Sequence, residues 1–307
     1  MHRNVKIARV TVFGLAAIGF IGASLLPQTT TKSYATVISQ GPPQTITLTG
    51  VVRDFKEYTV PGGHPDFERT PTNGFAHYSA NISQNLGADG KPVFLGGGKK
   101  VKTEWKDSSN RNICYALFNA ALGDHIGAWG AADTGGVQSA DSFNKWYNDV
   151  PGTNMSAPLT LTFNRQADGT YLFDDKLDPQ YSSLSGFFPI EGQLFGNPGG
   201  TPNRNFHFTF ELHTTFKYDS AANQIFRFIG DDDVFVFING KLVIDLGGVH
   251  SAVDQFVALN RLGLTNGQSY PLDFFGAERH RTQSNFRIQT NIQLQPVQPP
   301  SVTSAFD

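Results

Sequence analysis

Residues 230–250 read GDDDVFVFINGKLVIDLGGVH. Three consecutive acids, Asp231, Asp232 and Asp233, head a strongly β-forming run. Asn239-Gly240 follows, then a second apolar run that ends in Asp245 and Gly247-Gly248. Asn-Gly between two such runs predicts a type I′ hairpin joining strands at 234–238 and 242–245. A buried, unpaired carboxylate costs several kcal/mol, so an acid triplet in this setting needs a counter-charge. A hard cation held by oxygen ligands supplies one, and Ca2+ is the usual choice outside cells. The alternative is a solvated turn held by Asx hydrogen bonds. The stretch points to a β-sandwich with a candidate calcium site at one end.

Working outward, the rest of the chain repeats the β pattern. Ile46, Leu48, Gly50 and Val52 alternate with Thr45, Thr47, Thr49 and Val51, a strand at period two. Runs at 159–163 and 171–173 flank an Asp168-Gly169 turn. Phe206, Phe208, Phe210 and Leu212 face one way, and His207, Thr209, Glu211 and His213 the other. A strand is expected at 225–229. A long half-buried one runs from Phe286 to Leu294. Short helices are expected within 111–126 and at 141–148, the second capped by Asp141, with Phe143, Trp146 and Tyr147 on its core face. Residues 61–98 and 181–205 are rich in Gly, Pro, Ser, Asn and Asp, and the long loops at 61–110 and 174–205 that contain them are expected to decorate one end or edge. The fold class is all-β: a β-sandwich or jelly-roll-like domain with long loops and one or two short helices.

The net charge of −2 argues against nucleic acid as a partner, which needs a strong basic excess. The N-terminus has the form of a secretory signal peptide. His2, Arg3, Lys6 and Arg9 precede an apolar run from Val10 to Leu26, and Ser33-Tyr34-Ala35 fits a cleavage site. If the segment is retained instead, it is a short membrane anchor. The expected organisation is a signal peptide at 1–35, a linker at 36–44, one domain at 45–295 and a disordered Pro-rich tail at 296–307. Cys114 is the only cysteine, so no internal disulfide forms. Its apolar surroundings make it a buried small hydrophobe. A secreted chain without disulfides leans towards a bacterial source.

Several ordered motifs resemble the fibro-slime domain, related to the β-sandwich of anthrax protective antigen and yeast flocculins. The strongest are NFHFTFELHTTFKY (205–218), FIGDDDVFVFINGKLVIDLGGVH (228–250), LDFFGAERH (272–280) and SNFRI (284–288). Weaker ones are LTGVVRDFK (48–56), GHPDFE (63–68) and FNKWYNDVPGTN (143–154). In the related adhesin domains two adjacent Asp residues joined by a cis peptide bind Ca2+, and the ion helps hold a sugar diol. The resemblance puts those roles on Asp231 and Asp232, with Asp233 where relatives often carry Gly.

Ca2+ takes six to eight oxygens, so other loops must contribute. Asn285 is the first candidate, with Ser284 behind it, then Glu278. Asp245 is either a ligand or a turn cap, and Asp233 either a third ligand or solvent-facing. His207, His213, His250 and His280 show no HxxxH or HExxH spacing and read as structural. No convergent carboxylate pair for glycoside hydrolysis and no GxSxG elbow can be named, so the chain reads as a binding protein and not an enzyme. The expected function is a secreted or cell-surface, calcium-dependent module that binds a glycan or extracellular polysaccharide. Trp105, Trp129 and Tyr78 are candidate stacking platforms. The runner-up is a self-associating matrix or slime protein in which calcium only stabilises the fold.

Overall fold

The computed structural model describes residues 41–298. The expected signal peptide, most of the linker and the last nine residues of the tail lie outside this range. Fourteen strands follow in chain order: β1 (Thr45–Phe55), β2 (Tyr78–Ser79), β3 (Lys99–Thr103), β4 (Ala128–Ala132), β5 (Asn154–Arg165), β6 (Tyr171–Asp174), β7 (Phe208–Lys217), β8 (Ile225–Gly230), β9 (Asp233–Ile238), β10 (Lys241–Leu246), β11 (Val253–Ala258), β12 (Ser269–Glu278), β13 (Phe286–Thr290) and β14 (Gln295–Pro296). Two short α-helices, α1 (Ala140–Asn144) and α2 (Pro179–Ser182), complete the regular structure with four 3-10 turns. The fold is all-β.

The main sheet runs β10-β9-β12-β7-β1-β5-β6-β13-β8-β11, antiparallel throughout, with β14 paired to β7. It curls until its two edges meet: the Asp245 amide on β10 donates to Gln255 Oε1 on β11 at 2.8 Å. Curling of this kind removes the exposed strand edges that invite aggregation. The interior is aromatic and aliphatic, with Phe163, Phe173, Phe210, Phe228, Phe274 and Phe286 at its centre. Gly50 is required where β1 crosses β7, because a Cβ there would lie 2.1 Å from the Glu211 carbonyl oxygen.

A second core lies outside the curl. Phe235, Phe237 and Phe275 point outward from β9 and β12, and Phe143 from α1, with Phe67 and Trp146 from the adjoining loops, covers them. β9 is therefore buried on both faces along its whole length, which explains why its sequence does not alternate. The first of the loops expected to decorate one end is in fact part of a covering layer, whereas Tyr181, Phe187 and Ile190 of the second pack into the interior core. Within the covering layer β2, β3 and β4 form a small sheet of their own.

The hairpin at 239–240 forms as expected, with φ of 53° at Asn239 and 71° at Gly240, the left-handed pair of a type I′ turn. Three local expectations change. Helix α1 is capped by Ser139 in a capping box with Ser142, and Asp141 lies in its first turn. Residues 111–126 hold only single 3-10 turns at Tyr115–Leu117 and Ala120–Leu122, because backbone groups of Ile113 and His125 pair with Trp105 and Lys106. The strand expected to run from Phe286 to Leu294, β13, stops at Thr290. There the Thr290 hydroxyl donates to the Ile225 carbonyl and accepts from the Ile292 amide, which turns the chain.

Candidate metal and ligand site

The acid triplet is the crossover from β8 to β9, and so from one half of the curled sheet to the other. The backbone kinks there through Asp232, whose φ is 50°. The Asp231–Asp232 peptide is trans: among the described residues the cis bonds are Thr201–Pro202 and Arg281–Thr282. The left-handed residue does the work that the resemblance assigns to a cis bond. It breaks strand alternation, so Asp231 and Asp232 both reach the floor of one open cleft of about 310 Å³ while Asp233 turns the other way. The cleft walls are Phe75, the loop at 249–251 and the loop at 280–283.

Each acid has its own partners. Asn285 clamps Asp231, its backbone amide donating to Oδ1 at 2.5 Å and its side-chain amide to Oδ2 at 2.6 Å. Asp232 Oδ2 accepts from the Arg279 amide at 2.8 Å. Asp233 forms an ion pair with the Arg279 guanidinium and accepts from the Gly248 amide at 2.7 Å. Gly248 must be Gly: its φ is 87° and a Cβ would lie 2.5 Å from the Tyr78 ring. Glu278 ends β12 beside the triplet, and its Oε1 is buried without a hydrogen-bond partner.

The electrostatics are unbalanced. Four buried acids, Asp231, Asp232, Asp233 and Glu278, lie together, and the Arg279 guanidinium pairs with Asp233 and is felt by Asp232. Burial pushes the Asp231 carboxyl up to about 6, against the hydrogen bonds from Asn285 and with a further push from nearby Asp175. Burial, then Asp231, raise Asp232 well above the usual carboxylate range, with Arg279 opposing and Asp233 adding. Burial, then Asp232 and Asp231, raise Glu278 likewise. Hard oxygen donors, an orphaned buried carboxylate oxygen and mutual repulsion suit a divalent cation such as Ca2+. The three carboxylates do not close into a tight cage, however. Among the described residues the group whose ligand atoms lie within 4.8 Å of one another is Glu57, Glu68 and His207. Arg281 already bridges that group by ion pairs to Glu57 and Glu68.

The remaining candidates fall elsewhere. Asp245 accepts from the Ala80 amide at 2.9 Å, keeps Oδ1 buried without a partner, and lines no part of the cleft. Asn285 reaches the site as a donor to Asp231. Ser284 donates to the Phe187 carbonyl at 2.7 Å. Tyr78 is fully buried and cannot stack on a ligand, and Trp105 is nearly so. The exposed ring at the cleft is Phe75, 53% exposed and packed edge-on against His280. His207 and His280 pair with Glu68, and His213 with Asp273 and Glu211. Burial, with His77 nearby, lowers His250 to about 4. Cys114 is buried, and burial raises its thiol well above the usual range.

Sequence reasoning missed Arg279. It is fully buried, stacks over Trp146 with 5.0 Å to the ring centroid, and donates to the Asp66 and Gly135 carbonyls at 3.0 and 2.9 Å. It ties two covering loops to the acid triplet. The signal was a lone cation in GAERH, next to Glu278.

Residues 196–303 match the PA14 domain. The chain is similar to Protein psiD of Dictyostelium discoideum, 35% identical over 268 residues, which is 85% of this chain and 44% of psiD. Protein psiQ of the same organism is 37% identical over 197 residues, covering 59% of this chain and 19% of psiQ. Protein psiI is 45% identical over 151 residues, covering 46% of this chain and 19% of psiI. The chain thus spans less than half the length of these relatives. They come from a eukaryote, so they lend no support to a bacterial source argued from the single cysteine. The segment that matches the PA14 domain holds the acid triplet, Glu278, Arg279 and Asn285, and the psi proteins are similar to the chain over a wider span.

Proposed function

We propose that this is a calcium-dependent carbohydrate-binding or adhesion module of the cell surface or extracellular space. The observation that carries it is the uncompensated acid cluster on the floor of an open cleft. Asp231 and Asp232 would hold Ca2+ there with Glu278 behind them, and the ion would offer free coordination positions to sugar hydroxyls. Phe75 supplies an apolar face for the sugar ring. Asp233 and Asn285 position the site, the first through Arg279 and the second through Asp231. The fibro-slime assignment is part of this reading, because its motifs extend from 48 to 288, beyond the matched segment. The carboxylates serve one locus, which favours binding over turnover.

Thermal unfolding with CaCl2 and with EDTA tests the ion. Binding to the native state alone stabilises it by about 2.7 kcal/mol at a hundredfold excess over Kd. A rise with Ca2+ that Asp232→Ala abolishes supports the site, and the same stabilisation in Asp232→Ala sinks it. A glycan array repeated in EDTA then separates sugar binding from the matrix reading, which expects calcium-dependent oligomers and no glycan signal.

A further inference from the structure

We propose a second, metal-independent site on the small sheet, for an anionic polysaccharide bearing carboxylate or sulfate groups. β3 reads KKVKT. The ladder from β3 to β4 shifts register on both sides of Val101, yet Lys100 and Lys102 share one face, about 7 Å apart along the strand, because both flank Gly130, and Lys99 lies on the other. Gly130 on the neighbouring β4 lies between the first two lysines. A Cβ there would be 3.3 Å from both Lys100 Cβ and Lys102 Cγ, so no side chain separates their stems. On the opposite face the Lys99 ammonium lies 5.9 Å from the Trp129 ring centroid. Trp129 is half-buried and braced by Trp105 and Tyr115, with ring centroids 4.3 and 5.3 Å away.

These charges are unspent. Among the described residues the lysines in ion pairs are Lys91 and Lys145, and Lys100 donates only to the Asn73 carbonyl, at 2.8 Å. Of the neighbouring acids, Glu104 pairs with His77 and Asp107 with Arg111, while Asp133 accepts only from the Asn73 and Gly135 amides and keeps its charge. The chain as a whole carries −2, so three lysines on one strand against one unpaired neighbouring acid, Asp133, are a local excess that favours a polyanion here over the acid cleft. β4 is the edge of the small sheet, and its Ala128, Ala131 and Ala132 are small and exposed. An extended ligand crossing that edge meets Trp129 and Lys99 on one face and Lys100 and Lys102 on the other. A sugar ring stacks on Trp129 while its acid group meets ammonium.

Binding of the full chain to immobilised dextran sulfate and to polygalacturonate, in EDTA and over a salt series, tests this, with neutral dextran as control. The expected result is salt-sensitive binding in EDTA. The double variant Lys99→Gln/Lys102→Gln weakens it about tenfold, and Asp231→Asn leaves it unchanged. Trp129→Ala weakens binding to both polysaccharides without changing elution from a plain sulfonate resin. Absence of binding in EDTA overturns the site, as does binding indifferent to the lysine variant or lost with Asp231→Asn. Equal behaviour of Trp129→Ala and the parent chain on the polysaccharides also overturns it, since the patch is then charge alone.

Discussion

At the residue scale, the acid cluster makes opposite demands on stability and on binding. Asp232 is buried among like charges and opposed only by Arg279. Asp232→Asn removes one of the repelling charges and keeps the shape. In EDTA at neutral pH the variant should therefore be more stable than the parent by about 1–3 kcal/mol, while losing its stabilisation by Ca2+. Denaturant unfolding in the two buffers measures both signs, and a variant destabilised in EDTA would mean that the charge is already balanced. His213 makes a second case, far from the cleft. Burial disfavours its charged form, but hydrogen bonds and charge from Asp273 and Glu211 win and push it up to about 9. A pKa raised in the folded state contributes stability that is complete below the unfolded value of 6.5 and lost as pH rises through 9. Glu211 is the reverse: its partners His213, Arg53 and Lys91 overcome burial and hold it down to about 2, so its share is complete above 4.5 and lost as pH falls from there through about 2. His213→Gln should cost about 2 kcal/mol near pH 6 and almost nothing above pH 9. A pH series of unfolding midpoints for the two proteins would show the gap closing across that window.

At the scale of elements, the end of β8 decides where the triplet sits. Gly230 lies against β13, and an added Cβ would be 2.4 Å from the Asn285 carbonyl oxygen and 2.5 Å from Phe228 Cζ. Gly230→Ala must therefore spread β8 from β13 just below Asp231. We expect a loss of about 2–4 kcal/mol, together with weaker Ca2+ binding, because Asn285 is the clamp on Asp231. Isothermal titration would detect the second effect, and unchanged affinity would show that the clamp is dispensable. Arg279 tests the covering layer. Arg279→Met leaves Asp233 buried and unpaired and frees the carbonyls of Asp66 and Gly135, which costs about 3–5 kcal/mol. Proteolysis should then cut the loop around residue 66 before the sheet. What was legible in the sequence follows the same division. The Asn239-Gly240 hairpin, the alternation of β1 and β7 and the acid triplet are local patterns, and local chemistry fixes them. Ile292 and Leu294 keep the buried side of the alternation, yet the ladder ends at Thr290 because its hydroxyl captures the Ile292 amide. The pairing of Asp233 with Arg279 spans 46 residues, and the burial of Tyr78 depends on Gly248. No periodicity reports contacts of that range.

At the scale of the whole domain, strand polarity separates the cleft from the chain's points of entry and exit. Phe208 on β7 pairs with Glu278 at the acid cluster, and Thr215 on the same strand pairs with Gln295, where the C-terminal segment leaves. Seven residues of strand put about 24 Å between them. The N-terminal segment enters at that far pole too: the Arg165 amide donates to the Gln44 carbonyl at 2.8 Å, and Thr45 pairs with Asn164. Attachment at the Thr45 or the Gln295 end of the described domain therefore leaves the cleft at the opposite pole. The lysine-bearing small sheet joins the cleft's half, since β2 bridges to Gly247 beside the cleft wall. The consequence is measurable. Protein fixed to a sensor through its C-terminal segment should bind Ca2+-dependent ligands with the same affinity as protein in solution. Protein fixed through a cysteine placed at Phe75 on the cleft wall should lose that binding. Loss on C-terminal attachment would place the cleft against the tether and remove the argument for this polarity.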